Sequence, residues 1–267
     1  MIMRQPTVAG QFYPLGIKPL KKELSHCFKD LELVSGDAYG IVVPHAGYMF
    51  SGPVAAYAYS KLPKADTYVI FGPNHTGYGS AVALSTQTWS TPLGDVEADE
   101  DMGEMLAGSI IDMDEVAHMY EHSIEVQLPF LQYRFGDSFK VLPICMGLQD
   151  IDTAREVGLE VAKAAEKSGK KVVFIASSDF THYQPHETAK ETDMYLIDAL
   201  LNMDVEEFDR RREERSATAC GYGPIVAMYT AAEYMGANTA ELLKYATSGD
   251  MTGDYSAVVG YAAILVK

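Results

Sequence analysis

Cysteine is scarce in this 267-residue chain: Cys27, Cys145 and Cys220 lie far apart and are odd in number. That excludes a disulfide framework and fits a reducing compartment. Long apolar runs are missing too. No segment approaches the ~18 consecutive apolar residues that a membrane span requires. The opening MIMRQPTVAGQFYP also lacks the unbroken apolar stretch of a signal peptide. The expected setting is the cytoplasm, with no membrane partner. Positive charge is in short supply as well, 21 Lys+Arg against 37 Asp+Glu, for a formal net charge of -16. So acidic a surface repels nucleic acid and anionic lipid unless a local basic patch intervenes. The one dense basic run, Arg210-Arg211-Arg212, is followed at once by Glu213 and Glu214 and reads as a solvated helix face. No internal repeat, low-complexity tract or Ser/Pro-rich linker interrupts the chain, so residues 1–267 are expected to form one domain.

What is present is an alternation. With 48% hydrophobic and 22% charged residues the composition is that of a folded protein with a substantial core. Short β-branched runs occur at 40–43, 67–71, 81–84, 139–144, 171–176 and 257–266. Most are nearly continuous in apolar character, as expected for strands buried on both faces of a largely parallel sheet. Between them, helical periodicity predicts helices over 53–61, 99–106, 123–135, 153–167, 187–201 and 224–235. The segment 153–167 is the cleanest, with Val157, Val161, Ala164 and Ala165 at helical spacing and Gly169 as its stop. The expected class is α/β: a three-layer α/β sandwich with a central, mostly parallel sheet.

The histidines sit in a telling place. Pro44-His45, Asn74-His75 and Asp179-Phe180-Thr181-His182 each follow an apolar strand through a turn of small residues. Ligands of open α/β sheets bind in the crevice beyond the carboxyl ends of the strands. Imidazoles delivered there from three strands converge if those strands are neighbours. Cys220 precedes a helix that has Pro224 near its first turn, a position where peptide dipoles favour the thiolate. Glu121 and His122 stand before Ser123, the expected helix start, poised for hydrogen bonds to ligand residues or for an anionic substrate. His26, His118 and His186 have no comparable context and default to the surface. Cys27 and Cys145 read as core, while Trp89, Tyr48, Phe12 and Tyr13 could line a pocket, core packing being the default for any single aromatic.

This set supports a three-point metal site on His45, His75 and Cys220, with His182 as a free acid/base and Asp179 orienting it. A carboxylate as third ligand would give the arrangement of non-haem Fe(II) oxygenases, whereas a thiolate also suits Zn(II) or copper. Other classes fit less well. There is no Gly-x-Ser-x-Gly elbow for Ser177-Ser178, no phosphate loop and no dinucleotide fingerprint after the first strand.

The segments VAGQFYP from Val8, PHAGYMFSG from Pro44, GPNH from Gly72, EHSIEVQLPFLQ from Glu121, SSDFTHY from Ser177 and CGYGP from Cys220 resemble the Memo family. YATSGD from Tyr245 and VVGYAA from Val258 continue the match to the end of the chain. The resemblance implies a fold like that of the class III extradiol dioxygenases. It also implies His45, His75 and Cys220 as metal ligands and His182, with Asp179 nearby, as the catalytic-type histidine. Cys220 stands where those dioxygenases carry glutamate, so ring cleavage does not transfer. The expectation that follows is a metal-dependent redox protein using Fe(II), the favoured ion, or copper, with zinc possible at the same site for other chemistry. A small-molecule or peptide ligand would lie in the metal cleft, and a radical-SAM pathway partner would act alongside. The alternatives are a non-catalytic scaffold that takes a phosphopeptide in the same cleft, and a zinc hydrolase with His182 or Glu121 as base.

Overall fold

The protein was analysed as a computed structural model that describes residues 3–267. The chain runs β1 (Met3–Arg4), α1 (Ile17–Cys27), β2 (Gly40–Val43), α2 (Tyr48–Lys61), β3 (Thr67–Pro73) and β4 (Val82–Leu84). It continues through β5 (Thr88–Thr91), β6 (Gly94–Val96), α3 (Glu100–Glu104), β7 (Asp112–Met113), a 3-10 turn (Glu125–Gln127), α4 (Leu128–Phe135) and β8 (Lys140–Met146). The second half comprises α5 (Ile151–Ser168), β9 (Val172–Ser177), β10 (His182–Gln184), α6 (His186–Leu201) and α7 (Val205–Arg215). It closes with α8 (Tyr222–Tyr234), β11 (Ala240–Thr247), α9 (Ser248–Thr252) and β12 (Val258–Val266).

The main sheet has the order β10-β12-β2-β9-β3-β8-β4-β7, with β11 also paired to β12. Its centre, β2-β9-β3-β8, is parallel throughout. β12 and β4 flank that centre in antiparallel fashion. A small separate sheet joins β1, β5 and β6.

Alternation along the central strands sorts side chains into two cores. Val42, Val69, Phe71, Phe174 and Ala176 face one way and pack with residues of α5, α6 and α8. Ile41, Val43, Ile70, Val173 and Ile175 face the other and pack with residues of α1, α2 and α4. Both faces are covered, so the architecture is helix, sheet, helix, the three-layer α/β arrangement. The apolar runs read as doubly buried strands owe their continuity to this double covering.

Local signals set the best-predicted helix. Asp150 caps α5 by accepting from the Thr153 amide at 3.0 Å, and Gly169 ends it at φ +66°, in the left-handed region glycine tolerates. Other boundaries move. The expected helix from Ser123 starts at Leu128 instead, after the 3-10 turn, because the Ser123 hydroxyl donates to the Pro73 carbonyl at the end of β3 rather than capping. α2 begins at Tyr48, ahead of Pro53. Helix α1 and strand β11 lie outside the expected elements, and α7 was anticipated only as the helix face of the arginine run. In β11 and α7 charged residues interrupt the apolar pattern, although the Arg210-Arg211-Arg212 run does lie on α7, paired with Glu207, Glu214, Asp198 and Asp209. No helix among the described residues is long and apolar enough to cross a membrane.

Candidate metal centre

Because β2, β9 and β3 are adjacent and parallel, their carboxyl ends open at one edge of the sheet. The loops that follow carry His45, Asp179 and His75 to that edge. A fourth segment, 121–123, crosses the end of β3, tied there by the Ser123 hydroxyl. It brings in His122. Single nitrogen atoms of His45, His75 and His122 lie within 4.8 Å of one another. The His75 and His122 rings stack at 4.7 Å, and His45 meets both edge-on at 5.1 and 5.4 Å. His45 is almost wholly buried, whereas the His75 and His122 side chains keep 34% and 21% exposure, so the cluster opens to solvent on their side.

Cys220 adjoins this group through one member. Its Sγ is 3.1 Å from His45 Nε2 but lies outside the three-imidazole cluster. The dipole argument for a ready thiolate does not hold in the metal-free protein. Burial, with the Asp179 carboxylate beside it, pushes the Cys220 thiol well above its ordinary value. Desolvation outweighs the helix end.

Glu121 is a buried carboxylate that organises the imidazoles. It accepts from His75 N at 2.5 Å, His75 Nδ1 at 3.0 Å, and the amides of His122 and Ser123 at 2.8 Å each. Burial acts to raise its pKa, yet these donors and the two imidazoles win and hold it at about 2. An ionised carboxylate only accepts, so His75 donates a proton from Nδ1 to Glu121, which fixes the orientation of its ring. Burial lowers the pKa of both His45 and His122, the neighbouring imidazoles adding to the effect, so these rings are neutral. Three converging imidazoles, one of them anchored by a carboxylate, suit a borderline transition metal.

Asp179 is buried, and its Oδ1 accepts the His45 amide at 2.8 Å. Burial pushes its carboxyl upward, against the His45 hydrogen bond. Its Oδ2 is 4.0 Å from His45 Nε2. It does not orient His182. That ring gives its Nδ1 proton to the Thr218 carbonyl at 2.9 Å, and the His182 amide donates to Thr218 Oγ1 at 2.8 Å. Thr218 precedes Cys220 by two residues, so one loop serves both side chains; the sequence offered no sign of it.

The wall of the site is a strap from the N-terminus. The Phe12 ring lies 4.6 Å from that of His122, and Phe12 O accepts the Tyr48 amide at 2.8 Å. The strap is held by Glu125, which is fully buried. Glu125 pairs with Arg4 and accepts from Thr7 N, Val8 N and Tyr13 OH at 2.9, 3.1 and 2.7 Å. Arg4 in turn donates to the Glu121 carbonyl and lies over Trp89, which is core as expected. Neither Arg4 nor Glu125 was singled out from sequence, since lone charges 121 positions apart carry no local pattern.

His118 is not on the surface. It is fully buried, edge-on to Trp89 with Nε2 3.1 Å from the Ala83 carbonyl, and burial lowers its pKa to about 4. Cys27 and Cys145 are buried among apolar neighbours as expected.

A family model described as "Memo-like protein" matches residues 4–265. A "MEMO1 family protein" of Methanococcoides burtonii is 69% identical over 265 residues, covering 99% of this chain and 100% of the relative. One from Methanosarcina barkeri is 61% identical with the same coverage. Among solved structures, an uncharacterized protein of Escherichia coli superposes with a TM-score of 0.53 at 12% identity. The match covers 84% of this chain and 98% of that one, a likeness of fold alone.

Proposed function

The chain belongs to the Memo-like family, and from that premise we propose that it is a metal-dependent redox protein whose ion is held by His45, His75 and His122. The observation that carries this reading is the convergence of three imidazoles within 4.8 Å, one of them oriented by an ionised, buried carboxylate. Fe(II) or copper is the favoured ion. When bound, it supplies electron transfer and polarises a ligand oxygen.

The protein's own groups do the rest. Glu121 and Asp179 hold the chain around His75 and His45. Cys220 places a soft, oxidisable sulfur against His45, a donor that suits copper or iron once its proton is lost. His182, with Nδ1 committed to Thr218, presents Nε2 for taking up and returning a proton. A small-molecule or peptide ligand enters past the part-exposed faces of His75 and His122, bounded by Phe12.

The all-imidazole donor set also favours a second reading, zinc-dependent hydrolysis, because three histidines with an open position are a common catalytic zinc arrangement. Anaerobic titration with Fe(II), Cu(I) and Zn(II), with metal content measured directly, separates the two. Tight binding of iron or copper that is lost in His45→Ala and His122→Ala supports the redox reading. Exclusive retention of zinc supports hydrolysis. Failure of all three ions to bind would sink both. Cys220→Ser reports whether the thiol joins the ligands: loss of affinity includes it, and unchanged affinity leaves the three imidazoles alone.

A further inference from the structure

Behind His45 runs a chain of buried polar side chains that the metal reading does not use. His45 Nδ1 lies 2.9 Å from Ser177 Oγ. Ser177 Oγ lies 2.7 Å from the Ser123 carbonyl and receives Gln127 Nε2 at 2.9 Å. The same Gln127 nitrogen donates to the Pro44 carbonyl at 3.0 Å, and Gln127 Oε1 accepts from Tyr59 OH at 2.9 Å. Ser123, Gln127, Ser177 and Tyr59 are all fully buried, so water cannot exchange the partners.

The protons of this chain can be assigned one by one. The Pro44 carbonyl only accepts, which fixes the Gln127 amide with Nε2 toward it and Ser177 and leaves Oε1 to accept from the Tyr59 hydroxyl. Ser177 has a single proton and two acceptor sites. Its acceptor sites face Gln127 Nε2 and His45 Nδ1, and its proton goes to the Ser123 carbonyl. His45 must then carry its proton on Nδ1 and keep a lone pair on Nε2. Cys220 Sγ lies 3.1 Å from that Nε2. In the opposite tautomer the Ser177 proton would turn to His45, leaving the buried Ser123 carbonyl with only a 3.4 Å contact from Gln127.

We infer that Ser177, locked by Gln127 and Tyr59, is a positioning residue that sets the tautomer of His45 and so presents Nε2 as a metal ligand. The inference rests on the metal reading for its consequence but not for its geometry. It also gives a role to a serine that sequence motifs left without one.

Long-range imidazole NMR of the metal-free, isotope-labelled full chain reads the tautomer directly, the His45 signals being assigned by their loss in His45→Gln. The wild type is expected to show a protonated Nδ1 and a bare Nε2. Ser177→Ala is expected to bring in the other tautomer and to weaken Zn(II) and Fe(II) binding by about 10- to 100-fold, the range for losing a partner of a ligating histidine. Ser177→Thr, which keeps the hydroxyl, is expected to restore both. Should Ser177→Ala fail to fold, Ser177→Cys tests the same contact with a side chain of similar size whose thiol is a weak donor and acceptor, and is expected to mix the tautomers of His45. A protonated Nε2 in the wild type, or unchanged tautomer and affinity in a folded Ser177→Ala, would overturn the inference. If the wild type has the expected tautomer yet binds neither ion, the metal reading falls alone. The tautomer change in Ser177→Ala would then still support the role of Ser177.

Discussion

At Glu121 four donors converge on a carboxylate that is 1% exposed. Its pKa is depressed to about 2 from an ordinary 4.5, which ties stability to pH with a definite sign. The unfolded chain takes up this proton first as acid is added. The stabilising contribution is therefore complete above pH 4.5 and is lost as pH falls through about 2. Glu121→Gln is expected to flatten the dependence of the urea midpoint on pH across that window and to lower stability at pH 7 by about 2–3 kcal/mol. An unchanged slope would mean that the donors around it do not act as described. At the same scale, His118 shows why lone residues mislead. Nothing around it in sequence distinguishes a histidine under Trp89 from one in water, and only the neighbours brought in by folding decide.

Elements lock together through close approaches that follow from small residues. Helices α5 and α8 cross at Gly158, where an added Cβ would meet the Ala227 carbonyl oxygen at 2.4 Å and Thr230 Cβ at 2.9 Å. Backbone on one side and a β-branched residue on the other leave little room to yield. In an exposed helix Gly→Ala gains about 1 kcal/mol. Here the sign is expected to reverse, with Gly158→Ala losing about 2–3 kcal/mol in denaturant melts as the two helices are forced apart. A neutral or stabilising result would show that α5 and α8 slide freely. Gly158 sits inside a segment whose helical pattern was plain from sequence, and the helix it touches was expected too, over 224–235; that the two meet at this glycine was not legible along the chain.

Across the whole molecule, the site links strands and segments that are remote in the chain. An ion on His45, His75 and His122 ties the ends of β2 and β3 to the 121–123 segment, and an unfolded chain holds no such set. Binding is therefore expected to stabilise the fold, by about 2.7 kcal/mol when the free ion is at 100 times its dissociation constant. Thermal or urea melts with and without Zn(II) check this. His122→Ala is expected to abolish most of the gain, and a gain that survives in His122→Ala would remove that residue from the ligand set. The net charge of -16 acts at this scale too, setting which partners the surface repels rather than which fold forms.

The sequence by itself determined what short-range forces decide. Apolar runs marked the central strands, with 40–43 matching β2 end to end. Asp150 and Gly169 bounded α5. The small-residue turns placed His45, His75 and His182 after strand ends, and the motif series identified the family. The tertiary structure decided what depends on strand order and burial. It set β9 between β2 and β3, so that His45 and His75 converge, and it drew His122 in beside them while Cys220 lies beside His45 and Asp179, outside the cluster. Burial reversed the expected thiolate of Cys220, and the loop at Thr218, not Asp179, took charge of His182. Propensity and periodicity act within a few residues and can be read along the chain. Desolvation and hydrogen-bond partnership are properties of neighbours that meet only when the chain has folded.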